Sequence, residues 1–234
     1  MTGTIINVVT VLVGGTLGLL FGARLPERVR ETVVGALGLF TVALGLQMFL
    51  KSENAILVLG SLLIGGILGE WWRIETRLSR LGSWLEQRFT PGEAAADPKG
   101  SRFVRGFLTA SLLFCVGPMA ILGSIQDGLT GDYSLLAVKS VMDGFAALAF
   151  ASTFGPGVLF AALTVLLYQG GLSLGAAQLQ NVVTPAMMNE MTAAGGVILL
   201  ALAVSSLLEI KPLRSGNLLP ALAIAPLLVA LFGW

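Results

Sequence analysis

The chain has 234 residues, of which 55% are hydrophobic and only 12% are charged, and its formal net charge is +1. Soluble domains carry about 25% charged residues, and a single water-soluble core of this size could not bury so much apolar surface. The composition therefore excludes an ordinary soluble protein, the charge gives no basis for binding nucleic acid, and the absence of histidine argues against His-ligated metal sites.

Hydrophobic stretches of membrane-spanning length recur along the whole chain. They fall at 4–22, 33–50, 55–72, 103–128, 135–154, 157–176, 192–209 and 217–234. The first lacks the basic start and the small-residue cleavage site of a signal peptide, so we interpret it as a transmembrane helix. The sequence predicts an all-α polytopic membrane protein with about eight transmembrane helices in a single domain, 1–234.

The longest segment between spans is 73–102. Its first part places apolar side chains on one face and arginines elsewhere, which is typical of an interfacial amphipathic helix. Residues 90–100 are rich in Pro, Gly and Ala and are expected to form a flexible linker within the membrane domain.

Lysine and arginine are distributed very unevenly between the two sides that eight crossings would define. Twelve fall on one side, Lys51 falls on the other, and Lys139 lies within a span. The positive-inside rule then predicts that both termini lie outside the cytoplasm.

The two ends of the chain resemble each other. Residues 38–50 align with 196–208, and each is followed by a polar turn and one more apolar helix ending near a tryptophan, Trp71 or Trp234. We predict an inverted repeat of spans 1–3 and 6–8 around two central interrupted helices, an arrangement used by secondary transporters. The alternative is that any two helices rich in Leu, Ala and Gly align this well.

Two glycine–proline pairs interrupt the apolar pattern, Gly117–Pro118 inside span four and Gly155–Pro156 between spans five and six. Proline frees a backbone carbonyl one turn earlier, and in hydrocarbon that group needs another partner, a cavity or an ion. The alternative is a simple kink that neighbouring Ser or Thr side chains satisfy.

Polar side chains near these breaks are candidate ligands of a solute or ion. Lys139 and Asp143 are four residues apart on span five and can pair, and each would be costly alone in the bilayer. We favour a functional role for them, and the alternative is a structural pair near the outer interface. The other candidates are Gly117, Pro118, Ser124, Gln126, Asp127 and Gln169. Asp127 could instead mark the outer end of span four, and Gln169 could be a hydrogen bond between helices.

Other features have structural interpretations. Glu70 precedes two tryptophans and fits an interfacial belt, whereas Asn189 and Glu190 fit the N-terminus of span seven. Small residues recur every four positions and indicate close packing between helices or between protomers. On this basis we predict a homodimer through Gly14, Gly18, Gly22, Ser61, Gly65 and Gly69.

Several motifs resemble one bacterial family. The run Cys115-Val-Gly-Pro-Met-Ala-Ile-Leu-Gly-Ser-Ile-Gln-Asp-Gly128, then Lys139-Ser-Val-Met-Asp-Gly144 and Tyr168-Gln-Gly170, is similar to the YdfK/YqgA-like integral membrane proteins. The family is a domain of unknown function, so the resemblance implies a location in the bacterial inner membrane and adds little mechanism.

The sequence thus favours a secondary transporter of a small solute or ion with a midplane site in spans four to six. Alternatives are a non-transporting membrane scaffold and a passive channel. No cofactor is expected, the sequence does not identify a metal, and an enzyme is disfavoured because no Ser/Lys or paired-Asp arrangement stands out at suitable depth.

Overall fold

A computed structural model of the chain describes residues 1–22, 26–89, 101–179 and 183–232. In these ranges the regular structure is helical. The α-helices are α1 (Thr2–Gly22), α2 (Glu27–Phe49), α3 (Ala55–Trp72), α4 (Ile74–Phe89), α5 (Arg102–Cys115), α6 (Pro118–Thr130), α7 (Ser134–Phe154), α8 (Ala161–Leu174), α9 (Ala176–Leu179), α10 (Pro185–Leu202) and α11 (Ala221–Phe232). Short 3₁₀ turns lie at Pro156–Phe160 and Ser215–Leu218, and a π-helical turn at Ala203–Leu207 extends α10.

The predicted spans are confirmed as helices. In the described part of the chain, seven helices are long and apolar enough to cross a membrane, and the pair α5–α6 makes an eighth candidate with a bend of 61°. The bend falls at the predicted break, Gly117–Pro118. The predicted amphipathic helix is α4, whereas the predicted linker at 90–100 lies outside the described residues.

One predicted boundary is wrong by seven residues. The apolar pattern predicts a start of span seven at 192 with Asn189 and Glu190 at its N-terminus, but α10 begins at Pro185. The Thr184 side chain caps α10 by accepting a hydrogen bond from the Met187 N–H at 3.2 Å. Proline at the first helical position suits this start, because its missing N–H would have no intrahelical partner there.

The contacts between residues divide the chain into two compact units. The first unit contains residues 1–34, 78–115 and 119–179, and the second contains 35–77, 116–118 and 180–234. The predicted blocks of spans 1–3 and 6–8 do not coincide with these units, because α1 belongs to the first unit and α3 to the second. The inverted repeat therefore stays a prediction.

In the first unit, α1 packs along α7 through its glycines. Cβ atoms at Gly14, Gly18 and Gly22 would overlap backbone atoms of α7 at Gly144, Leu148 and Ser152. The contact positions increase together along both helices, so α1 and α7 run parallel. Helix α8 is antiparallel to α1, since Gly15 lies against Leu159 whereas Asn7 contacts Gln169.

The bent pair α5–α6 runs from one end of the first unit to the other. At its start, Phe103 packs against Gly157, where α7 turns into α8. Near its end, Asp127 accepts a hydrogen bond from the Gly3 N–H at the start of α1. Because α1 and α8 extend between the same two ends, α5 and α6 together have the extent of one broken span, and we use that name for the pair.

In the second unit, small residues again permit close approach. A Cβ at Gly65 would overlap the backbone of Ala221, a Cβ at Gly69 would overlap Asn217, and Gly45 lies against Gly196. Both predicted glycine stripes are thus covered by helices of their own unit. The glycines are explained without a second copy, and the homodimer stays a prediction without their support.

Candidate functional site

Lys139 and Asp143 form a buried ion pair on α7. The Lys139 Nζ donates to Asp143 Oδ2, and the two residues are only 7% and 8% exposed. Asp143 is the tenth of the 21 residues of α7, about 14 Å from its start at 1.5 Å per residue. The pair therefore lies near the middle of a spanning helix, where an isolated charge costs about 2.5–3.5 kcal/mol.

Asn7 of α1 connects this pair to α8. Its Nδ2 donates to Asp143 Oδ2 at 2.9 Å and to Gln169 Oε1 at 3.3 Å. Asn7 and Gln169 are both fully buried. We name these four residues, Asn7, Lys139, Asp143 and Gln169, the α1–α7–α8 cluster.

Two polar atoms of the cluster have no hydrogen-bond partner among the described residues. They are Asn7 Oδ1, an acceptor, and Gln169 Nε2, a donor. A buried polar atom left unpaired costs about 1–3 kcal/mol, so its retention calls for an explanation. The cluster can offer one more acceptor and one more donor to a small polar molecule.

Asp127 of α6 lies beside the cluster and contacts the same face of α1. Its Oδ2 accepts from the Gly3 N–H at 3.0 Å and lies 3.1 Å from the Met1 amino group. Gly3 and Asn7 are one helical turn apart. Asp127 is 2% exposed, and its Oδ1 has no partner in the described part of the chain. Asp127 thus joins the end of α6 to the start of α1.

The broken span reaches the level of the cluster. Gly106 of α5 lies against Phe154 of α7. From that contact Cys115, the last residue of α5, follows nine residues later and Asp143 lies eleven residues back, about 14 Å and about 17 Å along their helices. The carbonyl groups of the last turn of α5 and the N–H groups of the first turn of α6 are therefore at this depth, and helix ends leave such groups without intrahelical partners.

The remaining predicted site residues are not brought into the cluster. Gln126 is exposed and donates to Asp132 Oδ2 at 2.7 Å. The Ser124 hydroxyl donates to the Ala120 carbonyl within its own helix at 2.5 Å. Gly117 and Pro118 lie at the bend, and a Cβ at Gly117 would meet no atom within 4 Å. The structure thus joins Lys139, Asp143 and Gln169, with Asp127 one turn away.

Asn7 is the member of the cluster that the sequence did not identify as a site residue. Its signal is a single amide side chain in the apolar stretch of the first span. That signal alone did not indicate a partner, because Asp143 is 136 positions away.

Two acidic residues of the second unit contact other segments of that unit. Glu190 accepts hydrogen bonds from the backbone N–H groups of Glu53 and Asn54 at 2.7 and 3.0 Å and from the Ser52 hydroxyl at 2.8 Å. Glu70 pairs with Arg214 at 2.9 Å. Within the described ranges, no three His, Cys, Asp or Glu side chains are placed to hold a metal ion.

Comparison with known proteins identifies the family. The family model described as "Protein of unknown function (DUF554)" matches residues 2–230. The uncharacterized membrane protein YdfK of Bacillus subtilis (strain 168) is 33% identical over 233 residues, which cover 98% of this chain and 96% of YdfK.

The uncharacterized protein YqgA of Escherichia coli (strain K12) is also 33% identical over 233 residues, covering 99% of this chain and 98% of YqgA. No solved structure matches. The apolar helices, the match over almost the whole chain and these two relatives together establish that the chain is a membrane protein of the DUF554 family.

Proposed function

We propose that this protein is a secondary transporter of a small solute or ion, with its binding site at the α1–α7–α8 cluster. The observation that carries the proposal is the set of four buried polar side chains near the middle of α7, two of which keep unpaired polar atoms. Ionisable residues inside a membrane protein are expensive, and they mark solute or ion pathways more often than they serve packing.

The break between α5 and α6 supports this proposal. Transporters commonly build midplane sites from discontinuous helices, whose ends present backbone dipoles to the substrate. Counted from the contact of Gly106 with Phe154, the carbonyl end of α5 and the N–H end of α6 come near the depth of the Lys139–Asp143 pair. A solute at the cluster could bind side chains of α7, α1 and α8 together with these helix ends.

The orientation proposed for this transporter follows from the charges. Twelve of the fourteen Lys and Arg residues lie on one side of an eight-span topology, and the positive-inside rule makes that side cytoplasmic. We place the protein in the bacterial inner membrane with both termini outside the cytoplasm.

A membrane scaffold is the second candidate, because a buried ion pair can be purely structural. Removing one partner of such a pair is strongly destabilising in either case, by about 3–5 kcal/mol. Loss of function in Asp143→Asn alone therefore cannot separate a transporter from a scaffold.

Exchanging the two charges separates the candidates. In the double variant Lys139→Asp/Asp143→Lys, the ion pair on α7 is retained at the same spacing, but the carboxylate moves one turn away from Asn7. We expect this variant to unfold at a temperature near that of the wild type while losing solute binding and flux.

The experiment measures thermal stability of the purified protein with a panel of ions and metabolites, then flux in proteoliposomes for each ligand found. A ligand at 100 times its Kd adds about 2.7 kcal/mol to the stability of the native state. Asp132→Asn is the matched control, since it makes the same substitution at an exposed acid. The proposal is wrong if no ligand stabilises the wild type, or if the exchanged pair retains full flux.

A further inference from the structure

A second level of polar side chains lies one helical turn from the α1–α7–α8 cluster, toward the start of α1. On α1, Thr4 precedes Asn7 by three residues. On α8, Ser173 follows Gln169 by four. Residues at these spacings share a face of a helix. Since α1 and α8 are antiparallel and Asn7 contacts Gln169 at 3.3 Å, the two positions reached in this way lie at the same level.

Helix α6 brings a carboxylate to this level. Asp127 Oδ2 accepts a hydrogen bond from the Gly3 N–H at 3.0 Å, and Gly3 is the neighbour of Thr4. The next residue of α6, Gly128, lies against α8, because a Cβ there would be 2.2 Å from the Ser173 carbonyl oxygen. The end of α6 thus contacts α1 beside Thr4 and α8 at Ser173. We name Thr4, Asp127 and Ser173 the oxygen triad.

Each member of the oxygen triad has a side-chain oxygen without a hydrogen-bond partner in the described part of the chain. The atoms are Thr4 Oγ1, Asp127 Oδ1 and Ser173 Oγ. The three residues are 0%, 2% and 5% exposed, so they are shielded from bulk water. Burying a polar atom without a partner is costly. Three such oxygens at one level of three helices point to a ligand that they share.

The charge at this level selects a cation. Because Lys139 is paired with Asp143, the buried side-chain charges of the cluster and the triad sum to −1, which is the charge of Asp127. The Met1 amino group lies 3.1 Å from Asp127 Oδ2, but Met1 is 41% exposed, so water competes for that group, and Oδ1 keeps no partner. An uncharged polar solute can donate to the three oxygens, but it leaves the buried negative charge in place, whereas a cation compensates it.

The helix ends and the number of carboxylates favour a cation of single charge. Helices α6 and α8 both end at this level, at Thr130 and Leu174, and the C-terminus of a helix attracts cations. Calcium sites take about six to eight oxygen ligands, several of them from carboxylates. The triad has one carboxylate, and in the described part of the chain no three His, Cys, Asp or Glu side chains are placed to hold a metal ion.

We infer that the oxygen triad binds a monovalent alkali cation through Asp127 Oδ1 and the hydroxyl oxygens of Thr4 and Ser173. The cation brings the sum of the buried side-chain charges to zero and gives each of the three oxygens an electropositive partner. This site goes beyond the proposed function, because it lies one turn from the α1–α7–α8 cluster and its cation binds whether or not that cluster transports a solute.

The test measures the thermal stability of the purified protein in detergent at constant ionic strength, with choline chloride replaced stepwise by LiCl, NaCl or KCl. We expect at least one alkali cation to raise the unfolding temperature of the wild type in a saturable manner. Asp127→Asn removes the charge of the triad and should weaken binding of that cation at least tenfold. Asp132→Asn makes the same substitution at an exposed acid and should bind as the wild type does.

Two neutral variants distinguish a cation site from a structural role. Thr4→Val and Ser173→Ala remove hydroxyl groups that have no hydrogen-bond partner in the described ranges. In choline chloride alone, neither variant should therefore lower the unfolding temperature. In the alkali chloride, both should bind the cation at least threefold more weakly than the wild type. These two variants decide the test if Asp127→Asn fails to fold.

The outcomes separate the oxygen triad from the cluster. A cation effect that is lost in Asp127→Asn and retained in the exchanged pair Lys139→Asp/Asp143→Lys supports the triad. An effect lost only in the exchanged pair, or unchanged in both hydroxyl variants, overturns it. The inference is also wrong if the wild type unfolds at the same temperature in choline chloride and in every alkali chloride, including the case in which only a proton neutralises Asp127. The triad variants leave the Lys139–Asp143 pair intact, so their failure does not refute the transport proposal.

Discussion

Among single residues, Glu190 stabilises the connection between α2 and α3 through hydrogen bonds. Its carboxylate accepts hydrogen bonds from two backbone N–H groups and one hydroxyl of that connection, and it is 2% exposed. Glu190→Ala would leave these donors buried without their acceptor. We expect a loss of about 1–3 kcal/mol for each donor that water cannot reach, measured by denaturant unfolding in detergent. Glu190→Gln keeps one acceptor oxygen, so it should lose less; an equal loss in both variants would contradict this role.

Glu75 is expected to make stability depend on pH. Burial raises the pKa of its carboxyl group above the ordinary 4.5, although the Gly216 N–H donates to it and Arg214 is nearby. Because the folded-state pKa is the higher one, folding is favoured by protonation, and the contribution of Glu75 improves as pH falls from neutrality through the folded-state pKa toward 4.5.

Glu75→Gln removes this charge, and its amide oxygen can still accept from Gly216. We expect the variant to have a higher unfolding temperature than the wild type at pH 7 and a smaller advantage at pH 5. Thermal unfolding at both pH values is the measurement. A variant that is less stable at pH 7, or whose advantage grows at pH 5, would rule out desolvation as the dominant effect.

The contact that the sequence predicted correctly is a local one. Lys139 and Asp143 were paired from their spacing, since residues four apart share a face of a helix. The contact of Asn7 with Asp143 depends on how α1 packs on α7, which the sequence of either helix does not specify. The hydrogen bonds of Glu190 were not predicted for the same reason, because its partners are 136 to 138 positions away.

At the scale of helices, the packing of α1 on α7 depends on glycine. A Cβ at Gly14 would overlap the carbonyl oxygen of Gly144. Gly14→Ala is therefore expected to destabilise the first unit by about 1–3 kcal/mol, the usual cost of overpacking. Gly171→Ala is the control in the same unit, since a Cβ there meets no atom within 4 Å. If both variants unfold at the same temperature in detergent, the close contact is not needed.

Helix α4 is expected to lie in the membrane–water interface. Leu85 packs on Phe103 and Phe107, and Gly82 lies against Val104, whereas Trp84 is 59% exposed on the face turned away from these contacts. Exposed arginines flank Trp84 on the same helix, a combination typical of interfacial helices.

The measurement for α4 is fluorescence of Trp84 with the other three tryptophans changed to phenylalanine. We expect quenching by lipids brominated near the headgroup and weak quenching by aqueous iodide. Strong iodide quenching without lipid quenching would instead place Trp84 in water, away from the bilayer.

For the whole molecule, hydrophobicity predicted the number and approximate position of the spanning helices, because each span must bury its backbone and apolar side chains in lipid. It did not predict which helices pack together. The sequence grouped spans 1–3, but α1 packs with α7 and α8, and α3 packs with α10 and α11. In lipid, which helices pack together depends on the fit of small residues and polar groups rather than on hydrophobicity. That fit depends on pairs of segments that are distant in the sequence.

The number of membrane crossings depends on whether α5–α6 crosses the membrane. The parallel packing of α1 and α7 requires an odd number of crossings between them. Helices α2 and α3 supply two, so the bent pair must supply the third. A re-entrant α5–α6 would instead leave α1 and α7 antiparallel.

Single cysteines in a Cys115→Ser background test this crossing. Gln87 on α4 and Asp132 between α6 and α7 are both exposed and flank the bent pair. With eight crossings, a membrane-impermeant maleimide should label Asp132→Cys in intact cells and Gln87→Cys only after permeabilisation. Labelling of both positions from the same side would show that α5–α6 re-enters, and α1 and α7 could then not pack in parallel. Labelling from opposite sides but with Gln87→Cys outside would keep the eight crossings and reverse the orientation that the arginines indicate.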